Sequence, residues 1–146
     1  LLLAVCLFFS NFSRAGEKTI EPAGTRPNIL FILTDDQGYG DWKCTGHPLL
    51  ATPNVDRLAA ESVRLENFQV SASCSPTRAA LLTGRSQHAA GMRTVSNFRT
   101  GFPHQLGHIA NEAATVAEVL REQGYTTFCV GKWHLAPMEQ CSEQQS

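Results

Sequence analysis

The sequence predicts an α/β fold: helices laid on a mostly parallel or mixed central sheet. Two apolar runs carry that expectation, Asn28-Ile29-Leu30-Phe31-Ile32-Leu33 and Tyr125-Thr126-Thr127-Phe128-Cys129-Val130. Unbroken apolar or β-branched runs of this length mark strands covered on both faces, as in sheets with helices on each side. Each run then ends in ionisable groups, Asp35 and Asp36 after the first, Lys132 and His134 after the second. Strand ends that deliver charged groups toward one crevice are how doubly wound sheets build their sites.

The composition sets bounds on partners. With 146 residues the chain suits about one domain. Apolar residues make up 42% and charged residues 17%, which is globular rather than disordered usage. A formal net charge of -1 removes the polybasic argument for nucleic acid or an anionic membrane surface.

Residues 1–9 are apolar and too short to span a bilayer, which takes about 20 residues. They suit the core of a secretory signal peptide, with Ser13-Arg14-Ala15 as a small-x-small cleavage site. A buried N-terminal strand or helix is the alternative. A lipoprotein signal at Leu3-Ala4-Val5-Cys6 fits less well because Val5 is bulky. The expected division is a partial signal peptide over 1–15, a polar linker with two prolines over 16–27, and a catalytic-type domain from 28 to 146. Export to the periplasm or the extracellular space follows. Of the cysteines left, Cys44, Cys74, Cys129 and Cys141 are widely spaced and indicate neither a disulfide scaffold nor a zinc site.

After the first strand, Asp35 and Asp36 lead into Gly38-Tyr39-Gly40-Asp41. Adjacent carboxylates repel, and a hard cation such as Ca²⁺ or Mg²⁺ would offset that cost. Turn capping is the alternative role for the pair. Thr52-Pro53 opens a helix, with Val55, Leu58 and Ala59 on one face. Val63, Leu65, Phe68 and Val70 suggest a bulged strand.

That strand would deliver Cys74-Ser75-Pro76-Thr77-Arg78, a loop feeding a short helix that Gly84 closes. Cys74 then sits at a helix N-terminus, where free N–H groups favour anions, and Arg78 lies one turn later on nearly the same face. A structural Cys beside a surface Arg would show the same local pattern. Residues 85–110 lack a period, and a loop this long is functional or disordered. His88, His104 and His108 within it are expected to be surface or structural. Thr115-Val116-Ala117-Glu118 is a capping box opening a helix that Gly124 ends. If extended geometry continues past residue 130, Lys132 and His134 share a side.

Taken in order, these motifs resemble the N-terminal part of a type I sulfatase, arylsulfatase-like, of the alkaline-phosphatase-like superfamily. Cys74-Ser75-Pro76-Thr77-Arg78 fits the Cys-x-Pro-x-Arg core, and Ala79-Ala80-Leu81-Leu82-Thr83-Gly84-Arg85 fits its continuation. Residues 124–134, ending Gly131-Lys132-Trp133-His134, fit a second sulfatase motif, and Asp35-Asp36 resembles the metal-binding opening.

The resemblance implies hydrolysis of aryl or carbohydrate sulfate esters, and an α/β sandwich of which only the N-terminal part is present. It implies that a separate maturation enzyme oxidises Cys74 to Cα-formylglycine (3-oxoalanine), whose hydrate is the nucleophile. It assigns Asp35, Asp36 and residue 74 to Ca²⁺ rather than Mg²⁺. Arg78 would orient the hydrate, Lys132 would bind sulfate, and His134 would accept the proton in the elimination. Further metal and sulfate ligands would lie later in the chain, so these residues alone are expected to be inactive. A formylglycine-dependent phosphonate or phosphate ester hydrolase is the alternative within the superfamily. A non-catalytic sulfatase-like binding protein that keeps the thiol is the alternative outside catalysis.

Overall fold

A computed structural model describes residues 5–9, 26–98 and 100–137. The cleavage-site tripeptide Ser13-Arg14-Ala15, most of the 16–27 linker and Cys141 lie outside the described residues. The chain divides into two compact units, Leu1–Gln69 and Val70–Ser146.

In the first unit, strand β1 (Val5–Phe9) pairs antiparallel with strand β2 (Asn28–Ile32), in a register that sets Val5 opposite Ile32 and Phe9 opposite Asn28. Val5, Phe8 and Phe9 are β-branched or aromatic residues of the kind enriched in strands. Among the described residues, this two-stranded antiparallel ladder stands where a larger parallel or mixed sheet was expected. The side chains of β2 are also not buried on both faces: Ile29, Leu30, Phe31 and Ile32 are 39–47% exposed. One neighbouring strand satisfies one edge and covers neither face, so apolar sequence alone does not produce burial.

Two single 3₁₀ turns, Tyr39–Asp41 and Lys43–Thr45, follow β2. Gly38 N donates to Asp41 Oδ2 at 2.6 Å, and the Thr45 hydroxyl donates to the Tyr39 and Trp42 carbonyls. Helix α1 (Pro53–Glu61) starts where the Thr52-Pro53 signal predicts, with Pro53 in the first turn. The Thr52 hydroxyl does not cap the helix, however. It accepts from Lys43 N at 3.0 Å and donates to Asp56 Oδ1 at 2.9 Å. Asp56 in turn accepts from Cys44 N at 2.8 Å, which ties the second 3₁₀ turn to α1. Burial first, and then the Asp56 carboxylate, push the Cys44 thiol above its ordinary value. A thiol shifted in this direction carries less thiolate and is a poorer nucleophile than a free one. Residues 63–70 form no strand, which corrects the expected bulged strand. A strand exists only where a partner takes up its N–H and C=O groups.

The second unit contains helix α2 (Cys74–Thr83) and helix α3 (Val116–Glu122). Gly84 closes α2 in the left-handed conformation (φ 66°), with its N–H on Ala80 O at 2.9 Å. Any side chain would raise the cost of that turn. The capping box of α3 is complete: Thr115 Oγ1 accepts from Glu118 N, and Glu118 Oε2 accepts from Thr115 N at 2.6 Å. At its other end Gly124 N reaches Arg121 O at 2.9 Å and Tyr125 N reaches Leu120 O at 3.1 Å, the paired bonds of a Schellman cap.

The described residues between 85 and 110 fold into a clasp. Met92 and Gln105 form an antiparallel bridge, flanked by Leu106 N to Gly91 O (2.8 Å) and Arg93 N to His104 O (3.1 Å). This folds Ala90 and Met92 onto α2, where they bury with Ala79 and Leu135, and Leu82 and Ile109 pack around them. Residues 125–130 form no ladder, and Phe128 and Val130 are 88% and 98% exposed. The expected second strand is therefore absent among the described residues, for the same reason as residues 63–70.

Candidate active site

The site is built on the first turn of α2. Ser73, in extended conformation (φ -143°, ψ 167°), turns the chain into the helix, and Cys74 is the first helical residue. The turn is seated by buried residues: Ser75, Pro76, Thr77 and Ala79. Pro76 fits because a first-turn N–H has no intrahelical partner to lose. Thr77 Oγ1 donates back to Ser71 O at 3.1 Å, and Thr77 N donates to Ser73 O at 3.2 Å.

Burial of alternate surfaces leaves Cys74 and Arg78 half-buried on the side away from the core. Cys74 Sγ lies 3.1 Å from His134 Nδ1, across 60 positions of sequence. Arg78 Nη1 donates to the Lys132 carbonyl at 2.7 Å, across 54 positions. A thiol and an imidazole therefore meet at the half-buried N-terminal turn of α2, with a guanidinium one turn on holding the segment that carries the imidazole. That is a nucleophile position with a proton-accepting group in reach and a cation beside it.

The segment that carries His134 is held on both sides. On one side Arg78 grips the Lys132 carbonyl; on the other Leu135, 2% exposed, anchors in the core beside Ala79. Between those anchors His134 takes a left-handed conformation (φ 53°), uncommon away from glycine, and Gly131 precedes it at φ 102°. These two turns break the alternation expected to set Lys132 and His134 on one side. The Lys132 backbone faces Arg78 while the His134 ring faces Cys74.

Asp35 and Asp36 belong to the first unit and follow β2, with Asp36 left-handed (φ 49°). Adjacent carboxylates are hard oxygen donors of the kind Ca²⁺ takes. Among the described residues no group of three or more His, Cys, Asp or Glu side chains is assembled that could hold a metal ion. The pair supplies oxygen donors suited to a hard cation but does not make up a metal site by itself. His88 and His104 are exposed, and His108 Nδ1 lies 2.8 Å from Ile109 O, so the three loop histidines stay outside this cluster as expected. The sequence does not announce the burial of Ser75 within the first turn of α2, or of Ser96 and Gln105 in the loop bonded to it. Only the unusual polarity of a loop that must pack could have pointed to them.

Comparison with known proteins identifies the family of the chain. The family profile described as Sulfatase matches residues 27–145. Human arylsulfatase A is 49% identical over 110 residues, covering 75% of this chain and 21% of its own length. Human steryl-sulfatase is 43% identical over 117 residues, covering 77% of this chain and 20% of its own. An uncharacterized sulfatase of Schizosaccharomyces pombe is 43% identical over 117 residues, covering 75% of this chain and 21% of its own. The chain spans about a fifth of the length of the curated relatives it matches.

Proposed function

The chain belongs to the Sulfatase family, and we propose that it forms the nucleophile-bearing part of a sulfuric ester hydrolase. Membership implies the α/β, alkaline-phosphatase-like class. In our reading, strands from elsewhere in a longer protein flank β2 and residues 125–130, completing the sandwich. The observation that carries the proposal is the Cys74–His134 contact, with Arg78 gripping the segment that delivers His134.

Cys74 is the residue we assign to oxidation by a formylglycine-generating maturation enzyme. A hydrated formylglycine at this position would supply one hydroxyl to displace the alcohol from sulfur and a second whose proton, once removed, would let sulfate leave without a hydrolytic water. His134 Nδ1 faces the side-chain end of residue 74 at proton-transfer distance and takes that proton. The first turn of α2 presents N–H groups toward the anionic sulfuryl group, and Arg78 and Lys132 add positive charge there. Arg78 has a further task, because its bond to the Lys132 carbonyl fixes where His134 sits. Asp35 and Asp36 would hold Ca²⁺ together with residue 74 and ligands from elsewhere in the protein. A bound Ca²⁺ would offset the charge of the sulfate and make the hydroxyl of residue 74 more acidic.

The substrate is a sulfate ester, aryl or carbohydrate. Export through residues 1–15 fits an enzyme matured in a secretory compartment, and no helix among the described residues is long and apolar enough to cross a membrane.

The test is made on the full-length chain carrying this segment, produced with and without the maturation enzyme. Hydrolysis of 4-nitrophenyl sulfate should exceed that of 4-nitrophenyl phosphate, and peptide mass spectrometry over residues 71–85 should show the aldehyde at position 74. A preference for the phosphate ester would transfer the protein to phosphoester chemistry. A thiol persisting at position 74 beside the maturation enzyme would remove the catalytic proposal.

A further inference from the structure

Behind the first turn of α2 lies a buried hydrogen-bond relay that reaches the Cys74–Arg78 motif at Ser75 from residues outside the sulfatase motifs. Gln105 is 5% exposed, and its side-chain amide serves one short backbone stretch. Its Oε1 accepts from Thr94 N at 2.7 Å, while Nε2 donates to Val95 O at 3.3 Å and to Phe98 O at 2.6 Å. A planar amide bonded to three backbone groups within five residues dictates the path of that stretch. The same stretch presents Ser96 N to Ser75 Oγ at 3.2 Å. Ser75 is fully buried and adjoins Cys74 in the first turn of α2.

From this chain of contacts we propose that Gln105 is a positioning residue for residue 74, acting through the 94–98 backbone and the Ser75 hydroxyl. The assignment deepens the proposed function, because it rests on residue 74 being the nucleophile. Ser73 occupies the N-cap position and makes no side-chain cap bond, so Ser75 is not a duplicate cap. Its oxygen is engaged by the loop, and this sets the rotation of the turn about the helix axis. Gln105 is itself held in register by the Met92 bridge and by Arg93 N on His104 O. The amide thus connects the clasp to the turn that aims Cys74 Sγ at His134 Nδ1.

Small errors in nucleophile placement are costly: about 1 Å can reduce turnover about 100-fold. In the matured full-length enzyme, Gln105→Leu should lower kcat about 10- to 100-fold while KM stays within about two-fold. Ser75→Ala should act in the same direction. The double variant should be little worse than the worse single variant, because both changes cut one relay. Unchanged kcat per folded molecule, or effects that multiply, would reduce Gln105 to a packing residue and overturn the proposal.

An arm independent of turnover uses amide exchange in the unmodified full-length protein. Gln105→Leu should speed exchange at both Thr94 and Ser96 by at least about ten-fold, and Ser75→Ala should do so at Ser96 while sparing Thr94. Protection at Ser96 that survives Gln105→Leu overturns the relay whatever the turnover shows. Coupled exchange in a protein that cleaves no sulfate ester supports the relay and removes the sulfatase proposal instead. Where Gln105→Leu fails to fold, Ser75→Ala carries both readouts, since it deletes a single oxygen.

Discussion

The two units of this chain are held together by contacts of different reach. In the second, side-chain bonds join residues 60, 54 and 21 positions apart: Cys74 with His134, Arg78 with Lys132, and Ser75 with Ser96. In the first, the bonds from Cys44 to Asp56 and from Lys43 to Thr52 span 12 and 9 positions. Burial follows the same division. Ala79, Ala90, Met92 and Leu135 form a closed small core, whereas the apolar residues of β2 stay 39–47% exposed. The Cys74–His134 and Arg78–Lys132 contacts are thus organised within their own unit. Asp35 and Asp36, in the first unit, are exposed. Precise catalytic geometry belongs where long-range ties close on one point, and a metal can organise the rest through its own ligands.

The largest effect expected from this contrast is catalytic. His134→Ala in the matured full-length enzyme should lower kcat about 10²- to 10⁴-fold, with no rescue by added calcium. Asp35→Asn should also lose activity, but raised calcium should recover part of it, as for a weakened ligand set. Calcium titrations that treat the two variants alike would erase the distinction between preformed and metal-organised ends.

Stability should separate the units next. Gly91 has φ 80°, and a Cβ there would lie 2.9 Å from Leu106 Cδ1 and 3.2 Å from the His108 carbonyl. Gly91→Ala should therefore cost about 1–3 kcal/mol, read as a lower urea midpoint, because strain and collision act together at the clasp. An unchanged midpoint would show that the clasp does not support the small core.

A smaller loss is expected at the α3 cap, where Thr115→Ala should cost about 1 kcal/mol in chemical denaturation. Bonds from the Thr115 backbone, then from its side chain, hold the Glu118 carboxyl below its ordinary value. A carboxyl lowered by folding stabilises above its unfolded value, about 4.3, and that contribution fades as pH falls through the lowered folded value. Between pH 7 and pH 3 the wild type should thus lose more stability than Thr115→Ala does, which denaturation midpoints across that range will test.

The smallest effect should come from Ser96→Ala. Its hydroxyl is fully buried and has no hydrogen-bond partner. Deleting it removes an unpaired polar atom while the backbone N–H stays on Ser75, so thermal stability should hold or rise. A clear fall would indicate that an internal water bonds this oxygen.

Local signals were legible in advance, as the particular elements show. Thr52-Pro53 begins a helix, Gly84 closes one, and Thr115 and Gly124 bracket a third, where their turn chemistry says they should. Cys74 at a helix start with Arg78 one turn on was readable for the same reason, since both depend only on near neighbours. Residues 63–70 and 125–130 were not, because a strand is completed by another segment. Gln105 was hidden too: its bonds reach a loop up to 11 positions away, and no periodicity announces that.

The sequence by itself determined the helix boundaries, the order of the three motifs and the family to which they belong. Each of these depends on residue identity at short spacing, where φ preference, capping and motif spacing act directly. Only the tertiary structure decided that the His134 ring lies against Cys74, that Arg78 grips the Lys132 carbonyl in the second motif, and that a buried glutamine holds the loop bonded to Ser75. Those facts require the chain to close loops of tens of residues, and closing them depends on packing around Ala79, Met92 and Leu135 rather than on local preference.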